Sequence, residues 1–444
     1  MRTIFALSSA RGRAGIAIIR VSGPQTLTAL KEIAGKKVKP REATLVSLRA
    51  DDKSVIDKGI VLWFPGPKSA TGEDLAEFHI HGGRAVISAV EMRLSSIRDI
   101  VPAEPGEFSR RAFENGKLDL TQVEGLADLI EAETEGQRKQ AFNQLDGKLG
   151  KMLDDWREES IHALAYIEAS IDFPEEEIPQ TIINDTKLKI STLIKKIDQV
   201  LHNSIRGELM RNGVSVALVG APNVGKSSLL NRIAQRDVVI VSEFPGTTRD
   251  IVEVNLDLSG IPIILSDTAG LRDGIEIVEQ EGIKRAEAII KKSDITVAIF
   301  DAEAWPDLDQ RTEKIIDDKT IIIVNKADLL KDLPSTKNVD GRRIIFLSAL
   351  TGDGIEDLLS ELEKRVIDRT NHSEIPLLTR SRHVIALTTA KEHLQSFLNI
   401  DGSFELELYA EDLRLAVREI GKITGRIEVE ELLDVVFKDF CIGK

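Results

Sequence analysis

The spacing of hydrophobic residues changes along the chain and divides the sequence into regions of different predicted structure. Residues 1–117 carry short apolar runs, such as "GIAIIRVSG" and "KGIVLWF", between turn-forming residues. Runs of this length bounded by glycine, proline and serine are typical of strands. The first region is therefore predicted to be an α+β domain.

From about residue 118 the apolar residues recur at spacings of three and four, the period of an amphipathic helix. One predicted stripe consists of Phe142, Leu145, Leu149, Met152, Trp156, Leu164, Ile167 and Ile171, and a second of Leu193, Ile197, Leu201 and Ile205. The segment "DFPEEEIPQ" separates them. We interpret both stripes as packing faces.

Residues 214–368 alternate strand and helix patterns, with the strands "VSVALVG", "IPIILSDTAG", "ITVAIFDA" and "TIIIVNKAD". Near-continuous apolar strands separated by helices favour a parallel sheet covered on both faces. Helical patterns return after residue 376. The sequence thus predicts a multidomain protein in which an α/β domain (211–372) is inserted into an all-α helical domain (118–210 and 373–444) that follows the N-terminal domain (1–117).

The segment "GAPNVGKSS" matches the phosphate-loop pattern from Gly220 to Ser227, between a predicted strand and a predicted helix. Gly220 and Gly225 allow backbone N–H groups to approach phosphate oxygens closely. Lys226 supplies a charge to the outer phosphates, and the Ser227 hydroxyl is a ligand for Mg²⁺.

Three further motifs follow at strand ends, in the order found in a Ras-like GTPase domain. "FPGTTRD" is a candidate switch segment, and "DTAG" brings Asp267 to the metal through water and the Gly270 N–H to the γ-phosphate. In "NKAD" the Asp328 carboxylate only accepts hydrogen bonds, which suits the N1–H and amino donors of guanine and selects GTP. The predicted GTP-binding residues are Asn223, Val224, Gly225, Lys226, Ser227, Ser228, Ser242, Glu243, Phe244, Pro245, Gly246, Thr247, Thr248, Asp267, Thr268, Ala269, Gly270, Asn325, Lys326, Ala327, Asp328, Ser348, Ala349 and Leu350, with Mg²⁺ at Ser227 and Thr248.

Leu271 stands where Ras-type GTPases have the glutamine that orients the attacking water. The segment that follows offers Arg272, Glu276, Glu279 and Glu281 as candidates, and the residues alone do not rank them. Asn223 allows two interpretations. Its amide oxygen could bind a monovalent cation beside the phosphates, or it could hydrogen-bond its own loop.

Composition narrows the class of protein. The chain has 444 residues, a net charge of −14 and a single cysteine, Cys441. A single cysteine cannot form an internal disulfide, which predicts a reducing compartment. The net negative charge argues against broad nucleic-acid binding but not against a local basic patch. No apolar run approaches the ~18 residues of a membrane span. We predict a cytoplasmic protein, with an organelle as the alternative because the N-terminus is arginine-containing and acid-free.

Over nearly the whole chain the sequence resembles the MnmE (TrmE) family of tRNA-modification GTPases. The distinguishing segments are "GIAIIRVSG", "TGEDLAEFHIHGG" and "PGEFSRRAFENGKLDLTQVE" in the N-terminal region, and the terminal "CIGK". The resemblance implies a homodimer that works with a flavin-dependent partner, MnmG (GidA), on the 5-position of the wobble uridine of certain tRNAs. It implies that FAD enters only through the partner and that a tetrahydrofolate derivative (5-formyl or methylene) supplies the carbon.

The resemblance also assigns residues. It implies a folate-binding and dimerising N-terminal domain in which Arg20, Glu77, Lys117 and Lys444 contact the folate. It implies GTP domains that pair across the dimer with K⁺ bound by Asn223, Ser242, Phe244 and Thr247, and water positioned by Glu279. The family pattern carries Cys441 toward the carbon donor, where the thiol acts as a nucleophile or fills space beside the pterin.

Other interpretations remain open at this point. His79 and His81 are two residues apart and could share a metal, although strand packing is favoured because no third ligand is evident. One rival function is a GTPase switch that times ribosome assembly. Another is a folate-dependent methyl or aminomethyl transferase with a regulatory GTPase attached.

Overall fold

A computed structural model of the chain describes residues 2–10, 12–172, 180–236, 238–240, 253–267, 290–306, 309–330, 338–339, 342–370, 377–399 and 406–427, with residues 433, 436, 437, 440 and 443. The chain forms two compact units. Unit 1 consists of Met1–Ala127, Gln144–Ile194 and Ala386–Lys444, and unit 2 of Asp128–Asn143 and Lys195–Ile385.

Unit 1 begins with a six-stranded sheet. Its elements are β1 (Thr3–Leu7), β2 (Ala14–Ser22), α1 (Thr26–Ala34), β3 (Thr44–Arg49), β4 (Val55–Phe64), β5 (Leu75–Gly82), α2 (Arg84–Ser95), β6 (Ile100–Pro102) and α3 (Glu107–Glu114). The strand order is β3-β4-β5-β2-β1-β6, and every neighbouring pair is antiparallel except β1 with β6. The predicted α+β structure of this region is present.

The two faces of this sheet differ because side chains alternate along each strand. Ile19 and Phe78 are fully buried in a hydrophobic core that includes residues of α1 and α2. Their neighbours Arg20 and Glu77 therefore lie on the opposite face, where both are only partly buried.

Helices α4 (Leu120–Glu131), α5 (Glu135–Leu145), α6 (Lys148–Asp172) and α7 (Gln180–His202) follow. Gly147 adopts φ +82° and donates its N–H to Gln144 O at 3.0 Å, which ends α5 before α6 begins. Phe142, predicted on one continuous buried stripe, is consequently on a separate helix and 51% exposed. The second stripe is interrupted after α7 in the same way, and Ile205 beyond it is 71% exposed. The prediction was wrong for these two residues.

Unit 2 contains a seven-stranded sheet. Its elements are α8 (Ser204–Asn212), β7 (Val214–Gly220), α9 (Lys226–Ile233), β8 (Glu253–Leu258), β9 (Ile261–Asp267), β10 (Ile295–Asp301), α10 (Gln310–Glu313), β11 (Thr320–Asn325), β12 (Asn338–Val339), β13 (Arg342–Phe346) and α11 (Ile355–Thr370). The order is β12-β13-β11-β10-β7-β9-β8. The five central strands are parallel, as the apolar runs predicted, and β8 and β12 add antiparallel edges.

Helices α12 (Ser381–Asn399) and α13 (Leu406–Thr424) come last. Within unit 1, α13 packs along α6, and Arg414 donates to Glu168 Oε1 at 2.9 Å at the edge of the contact. Leu413 and Ile420 of α13 are fully buried. Among the helices of the described ranges, none combines the length and the apolar character needed to cross a bilayer.

Candidate functional site

The segment between β7 and α9 forms the backbone of the predicted phosphate cradle. A Cβ on Gly220 would overlap the carbonyl oxygen of Ile299, and one on Gly225 would overlap the side-chain amide of Asn325. Gly225 also has φ +92°, and Asn223 has φ +65°. Left-handed residues directly before a helix N-terminus make a concavity suited to anions.

Lys226 is the first residue of α9 and is buried. Its Nζ donates to Gly220 O at 2.8 Å and to Ala221 O at 2.9 Å. A buried ammonium is costly unless it is hydrogen-bonded, so the two carbonyls stabilise its positive charge over the loop. The charge lies where the sequence predicts the outer phosphates.

Ser227 and Asp267 are brought together at the end of the sheet. β7 pairs with β9 in parallel, and the Ser227 hydroxyl donates to Asp267 Oδ2 at 2.7 Å. Asp267 is buried. A hydroxyl and a carboxylate side by side are oxygen donors of the kind that Mg²⁺ prefers.

Asn325 connects two loops. It is buried, its Nδ2 donates to Val224 O at 2.7 Å, and its Oδ1 accepts from the Ala349 N–H at 3.0 Å. One side-chain amide thus fixes the position of the phosphate loop relative to the loop of residues 348–350. The structure gives Asn325 this positioning role, which the motif alone did not specify.

A cavity of about 530 Å³ opens beside these loops, within the range of small-molecule pockets. It is lined by Gly225, Ser228, Asn231, Arg232, Gln235, Asn325, Lys326, Asp328, Leu329, Ser348, Ala349 and Leu350. Asp328 is exposed in its wall, so its carboxylate is accessible to the donors of a guanine ring. Lys326 donates to Asp301 Oδ2 at 2.6 Å, and this hydrogen bond raises the pKa of Lys326 above its ordinary value.

Four lining residues were missed from the sequence: Asn231, Arg232, Gln235 and Leu329. Arg232 Nη2 donates to Thr351 O at 2.6 Å, which ties α9 to the loop that follows Ala349. Gly352 (φ +93°) sits against the same guanidinium. The signal was available for two of them: Ser228, Asn231 and Arg232 follow at intervals of three and one, and so share one face of α9. Gln235 lies just beyond the end of that helix.

Several predicted residues lie outside the described part of the chain. They are Ser242, Glu243, Phe244, Pro245, Gly246, Thr247, Thr248, Thr268, Ala269, Gly270, Glu279, Cys441 and Lys444. Their predicted roles in binding GTP, Mg²⁺, K⁺ and folate, in positioning water and in the tail chemistry stay predictions.

A second polar site lies on the outer face of the N-terminal sheet. Arg20 and Glu77 are cross-strand partners on β2 and β5, and Arg20 Nε donates to Glu77 Oε1 at 2.9 Å. Lys117, after α3, is exposed. Within the described residues no hydrogen bond or ion pair joins Lys117 to this pair. The structure therefore brings two of the predicted folate residues into contact.

The C-terminal tail reaches the same domain. The Ser8 hydroxyl donates to Gly443 O at 2.8 Å, and the Ser8 N–H donates to Ile18 O at 2.8 Å. Gly443 has φ +98°, and a Cβ there would overlap the carbonyl oxygen of Leu7. The tail is thus anchored at the end of β1, beside β2.

The two histidines of "FHIHGG" have separate partners. His79 Nε2 lies 3.1 Å from Glu77 Oε2, and His81 Nδ1 lies 2.8 Å from Asp57 Oδ1. Within the described ranges, no group of three or more histidine, cysteine, aspartate or glutamate side chains is arranged to hold a metal. The arrangement gives the shared-metal interpretation no support.

At one end of the unit 2 sheet lie a glycine-containing loop, a buried lysine and a serine–aspartate pair. Beside them lies a cavity with an exposed aspartate in its wall. Together these features define a phosphate-loop GTPase domain.

Comparison with known proteins extends this class to the whole chain. The model of the GTP-binding protein TrmE N-terminus matches residues 3–117, and that of the MnmE helical domain matches residues 120–441. The tRNA modification GTPase MnmE of Paramagnetospirillum magneticum is 48% identical over 443 residues, covering 100% of this chain and 99% of that protein. The MnmE of Parvibaculum lavamentivorans is 48% identical with full coverage of both chains. The mitochondrial 5-taurinomethyluridine-[tRNA] synthase subunit GTPB3 of Danio rerio is 44% identical, covering 100% of this chain and 93% of that protein.

The chain belongs to the MnmE family of tRNA modification GTPases. The predicted family resemblance and the predicted GTPase class are confirmed. The solved G domain of the T. maritima FeoB iron transporter covers 36% of this chain at 24% identity and a TM-score of 0.27, a score at which the likeness supports no conclusion.

Proposed function

We propose that this chain is the GTP-hydrolysing component of a complex that modifies the 5-position of the wobble uridine of certain tRNAs. The added group is of the aminomethyl or carboxymethylaminomethyl type. The proposal rests on one observation: a chain related end to end to tRNA modification GTPases carries both a GTP cradle and the Arg20–Glu77 pair. The name of the Danio rerio relative, a 5-taurinomethyluridine-[tRNA] synthase subunit, supports position 5 as the site of modification.

The outer face of the N-terminal sheet is the proposed folate site. The Glu77 carboxylate suits the amino and ring N–H donors of a pterin, and the Arg20 guanidinium, hydrogen-bonded to that carboxylate, places a positive charge at the same part of the site. Both side chains are partly exposed, which leaves them accessible to a ligand. A tetrahydrofolate derivative, when bound, would supply the one-carbon unit, with Lys117 and Lys444 as further contacts. The FAD chemistry belongs to the partner MnmG.

The GTP site is proposed to use two kinds of cation. Ser227 and Thr248 would hold Mg²⁺, with Asp267 acting through water. The contact between the Ser227 hydroxyl and Asp267 supports this arrangement. Asn223 would bind K⁺ with oxygens of Ser242, Phe244 and Thr247. The exposed position of Asn223 in the phosphate loop supports it.

The proposed work of the GTPase is gating. Two copies of the chain form a homodimer whose GTPase domains pair, Glu279 orients the attacking water, and hydrolysis permits the rearrangement that the modification needs. A hydrolysis-deficient Glu279→Ala protein should then fail to support modification in cells. Normal tRNA modification with that variant would contradict gating.

Mass spectrometry of tRNA nucleosides tests the function itself. Total tRNA is compared from the wild type, a deletion strain and a Cys441→Ser strain. Loss of the wobble-uridine group in the deletion is expected, whereas unchanged nucleosides there would favour the ribosome-assembly switch. Loss in Cys441→Ser as well would assign the tail thiol to the chemistry. Normal modification in that strain would make it a space-filling residue.

The cation assignment has a separate test. GTP turnover by the purified protein is measured in KCl and in NaCl at equal ionic strength. Turnover should drop sharply in NaCl, and Asn223→Ala should remove the difference between the two salts. Equal turnover in both salts by the wild type would contradict the K⁺ site.

A cytoplasmic location stays a prediction, supported by the single cysteine.

A further inference from the structure

On the outer face of the N-terminal sheet, Arg20 and His79 both contact the carboxylate of Glu77. Glu77 and His79 are two residues apart on β5 and so share a face, and Arg20 is the cross-strand partner of Glu77. Arg20 Nε lies 2.9 Å from Glu77 Oε1, and His79 Nε2 lies 3.1 Å from Glu77 Oε2. Each oxygen of this one carboxylate is therefore held by a different neighbour.

We propose that His79 is a positioning residue that fixes the carboxylate plane of Glu77 for the pterin ring of the folate. The inference rests on the folate-binding role proposed above. The terminal torsion of a glutamate is broad, so a carboxylate held at a single oxygen still rotates. Arg20 and His79 hold different oxygens and remove that freedom. Each carboxylate oxygen accepts two hydrogen bonds, which leaves one acceptor position on each for paired N–H donors.

The surroundings of His79 favour this contact over others. Its cross-strand partners are Ile18 on β2 and Ile60 on β4, whose side chains form no hydrogen bonds. An ionised carboxylate only accepts, so the contact with Glu77 requires the proton on Nε2. The side chain of His79 is 28% exposed, and that of Glu77 is 16% exposed. The pair is thus partly screened from water, where a charge-assisted hydrogen bond is stronger than at the open surface.

His81 provides the matched comparison. It lies two residues further along β5, and its imidazole pairs with Asp57 rather than with Glu77. His81→Leu therefore removes an imidazole–carboxylate contact from the same strand without touching the Arg20–Glu77–His79 group.

The test is calorimetric titration of the full-length protein with 5-formyltetrahydrofolate. We expect His79→Leu to weaken binding about tenfold, the effect of losing one hydrogen bond to a charged group. His79→Gln should bind within about threefold of the wild type, because its side-chain amide can donate to the same carboxylate oxygen. His81→Leu should bind as the wild type does, and GTP turnover should be unchanged in all three variants.

Nitrogen-15 NMR of histidine-labelled protein gives an independent readout that needs no ligand. The His79 signal, assigned by its loss in His79→Gln, should show the proton on Nε2 and should shift in Glu77→Gln. This readout decides the contact even if the leucine variant folds poorly.

The possible failures are distinguishable. Equal binding by the wild type and His79→Leu, or an equal loss in His79→Leu and His79→Gln, would overturn the positioning role and leave the folate site standing. An unshifted His79 signal in Glu77→Gln would overturn it too. No binding by the wild type would instead overturn the proposed folate function, and this inference with it.

Discussion

Ser227 and Asp267 lie 40 positions apart in the sequence, and their side chains are joined by a hydrogen bond of 2.7 Å. Ser227 lies in the first turn of α9, which follows β7, and Asp267 ends β9. The bond therefore lies at the carboxyl ends of two neighbouring parallel strands. Ligands of α/β sheets bind at this edge. In the proposed GTP site this pair would hold Mg²⁺ between the helix and the sheet.

Removing the Ser227 hydroxyl should therefore affect the metal dependence of GTP hydrolysis. We expect Ser227→Ala to lower GTP turnover by at least about 100-fold at limiting Mg²⁺, because one ligand and one hydrogen bond to Asp267 are lost together. Ser227→Thr keeps the hydroxyl and should retain most of the activity. The test is GTP turnover measured across a range of Mg²⁺ concentrations. A Ser227→Ala protein with the wild-type Mg²⁺ dependence would contradict the assignment of Ser227 as a ligand of Mg²⁺.

Gly225 should tolerate no side chain. A Cβ there would overlap the side-chain amide of Asn325, and the residue has φ +92°. We expect Gly225→Ala to displace Asn325, abolish measurable GTP binding and lower the melting temperature by about 5 °C. Gly12→Ala is the control, since a Cβ on Gly12 meets nothing within 4 Å. GTP binding by Gly225→Ala at wild-type strength would contradict this prediction, because the phosphate loop would then accommodate a Cβ at residue 225.

Asp328 should decide which base is bound. Asp328→Asn keeps one acceptor oxygen but replaces the other with an NH₂ donor, which opposes the guanine amino group and suits the oxygen that xanthine carries in its place. We expect the affinity for GTP to fall by about 100-fold or more and that for xanthosine triphosphate to rise. Competition binding with the two nucleotides measures the exchange. A parallel loss for both nucleotides would mean that the residue acts only through the loop structure.

Arg232 should control how long a nucleotide stays bound. Its hydrogen bond to Thr351 O holds the loop that follows the cavity-lining residues 348–350, and Arg232→Ala removes this bond. We expect GDP to dissociate about three- to tenfold faster, as one exposed hydrogen bond from a charged group allows, with partial rescue by Arg232→Lys. Stopped-flow dissociation of a fluorescent GDP measures the rate.

Arg236→Ala is the matched control for that experiment. Arg236 follows α9, pairs with Glu356 and is not among the residues that line the cavity. It should leave the GDP dissociation rate unchanged. An Arg232→Ala protein that also behaves as the wild type would remove Arg232 from the positioning role.

The strands of the GTPase domain were predictable because each consists almost entirely of apolar residues that end at a motif. The runs that end at Gly220 and Asn325 became β7 and β11 with the expected parallel pairing. The buried faces of the helices were predicted less reliably, because the spacing of apolar residues can continue unchanged across the break between two helices. The turn at Gly147 leaves the spacing of Phe142 and Leu149 unchanged while it reverses the exposure of Phe142.

Side-chain positions were predictable only where a sequence motif fixes them. Lys226 and Asp328 lie where the motifs predict. The positioning roles of Asn325 and Arg232 depend on residues 24 and 119 positions away, and nothing in the local sequence indicates such partners. The contact of His79 with Glu77 was equally hidden, because alternation on a strand predicts a shared face but not which side chain hydrogen-bonds to which.

The bond between Ser8 and Gly443 spans 435 positions of the chain. A ribosome adding about 5–20 residues per second completes β1 long before it reaches the tail. At that pace roughly 20–90 seconds separate the synthesis of Ser8 from that of Gly443. The contact therefore forms only after all the intervening chain has been made. A chain truncated before Gly443 would leave the end of the first strand without the glycine that fits it.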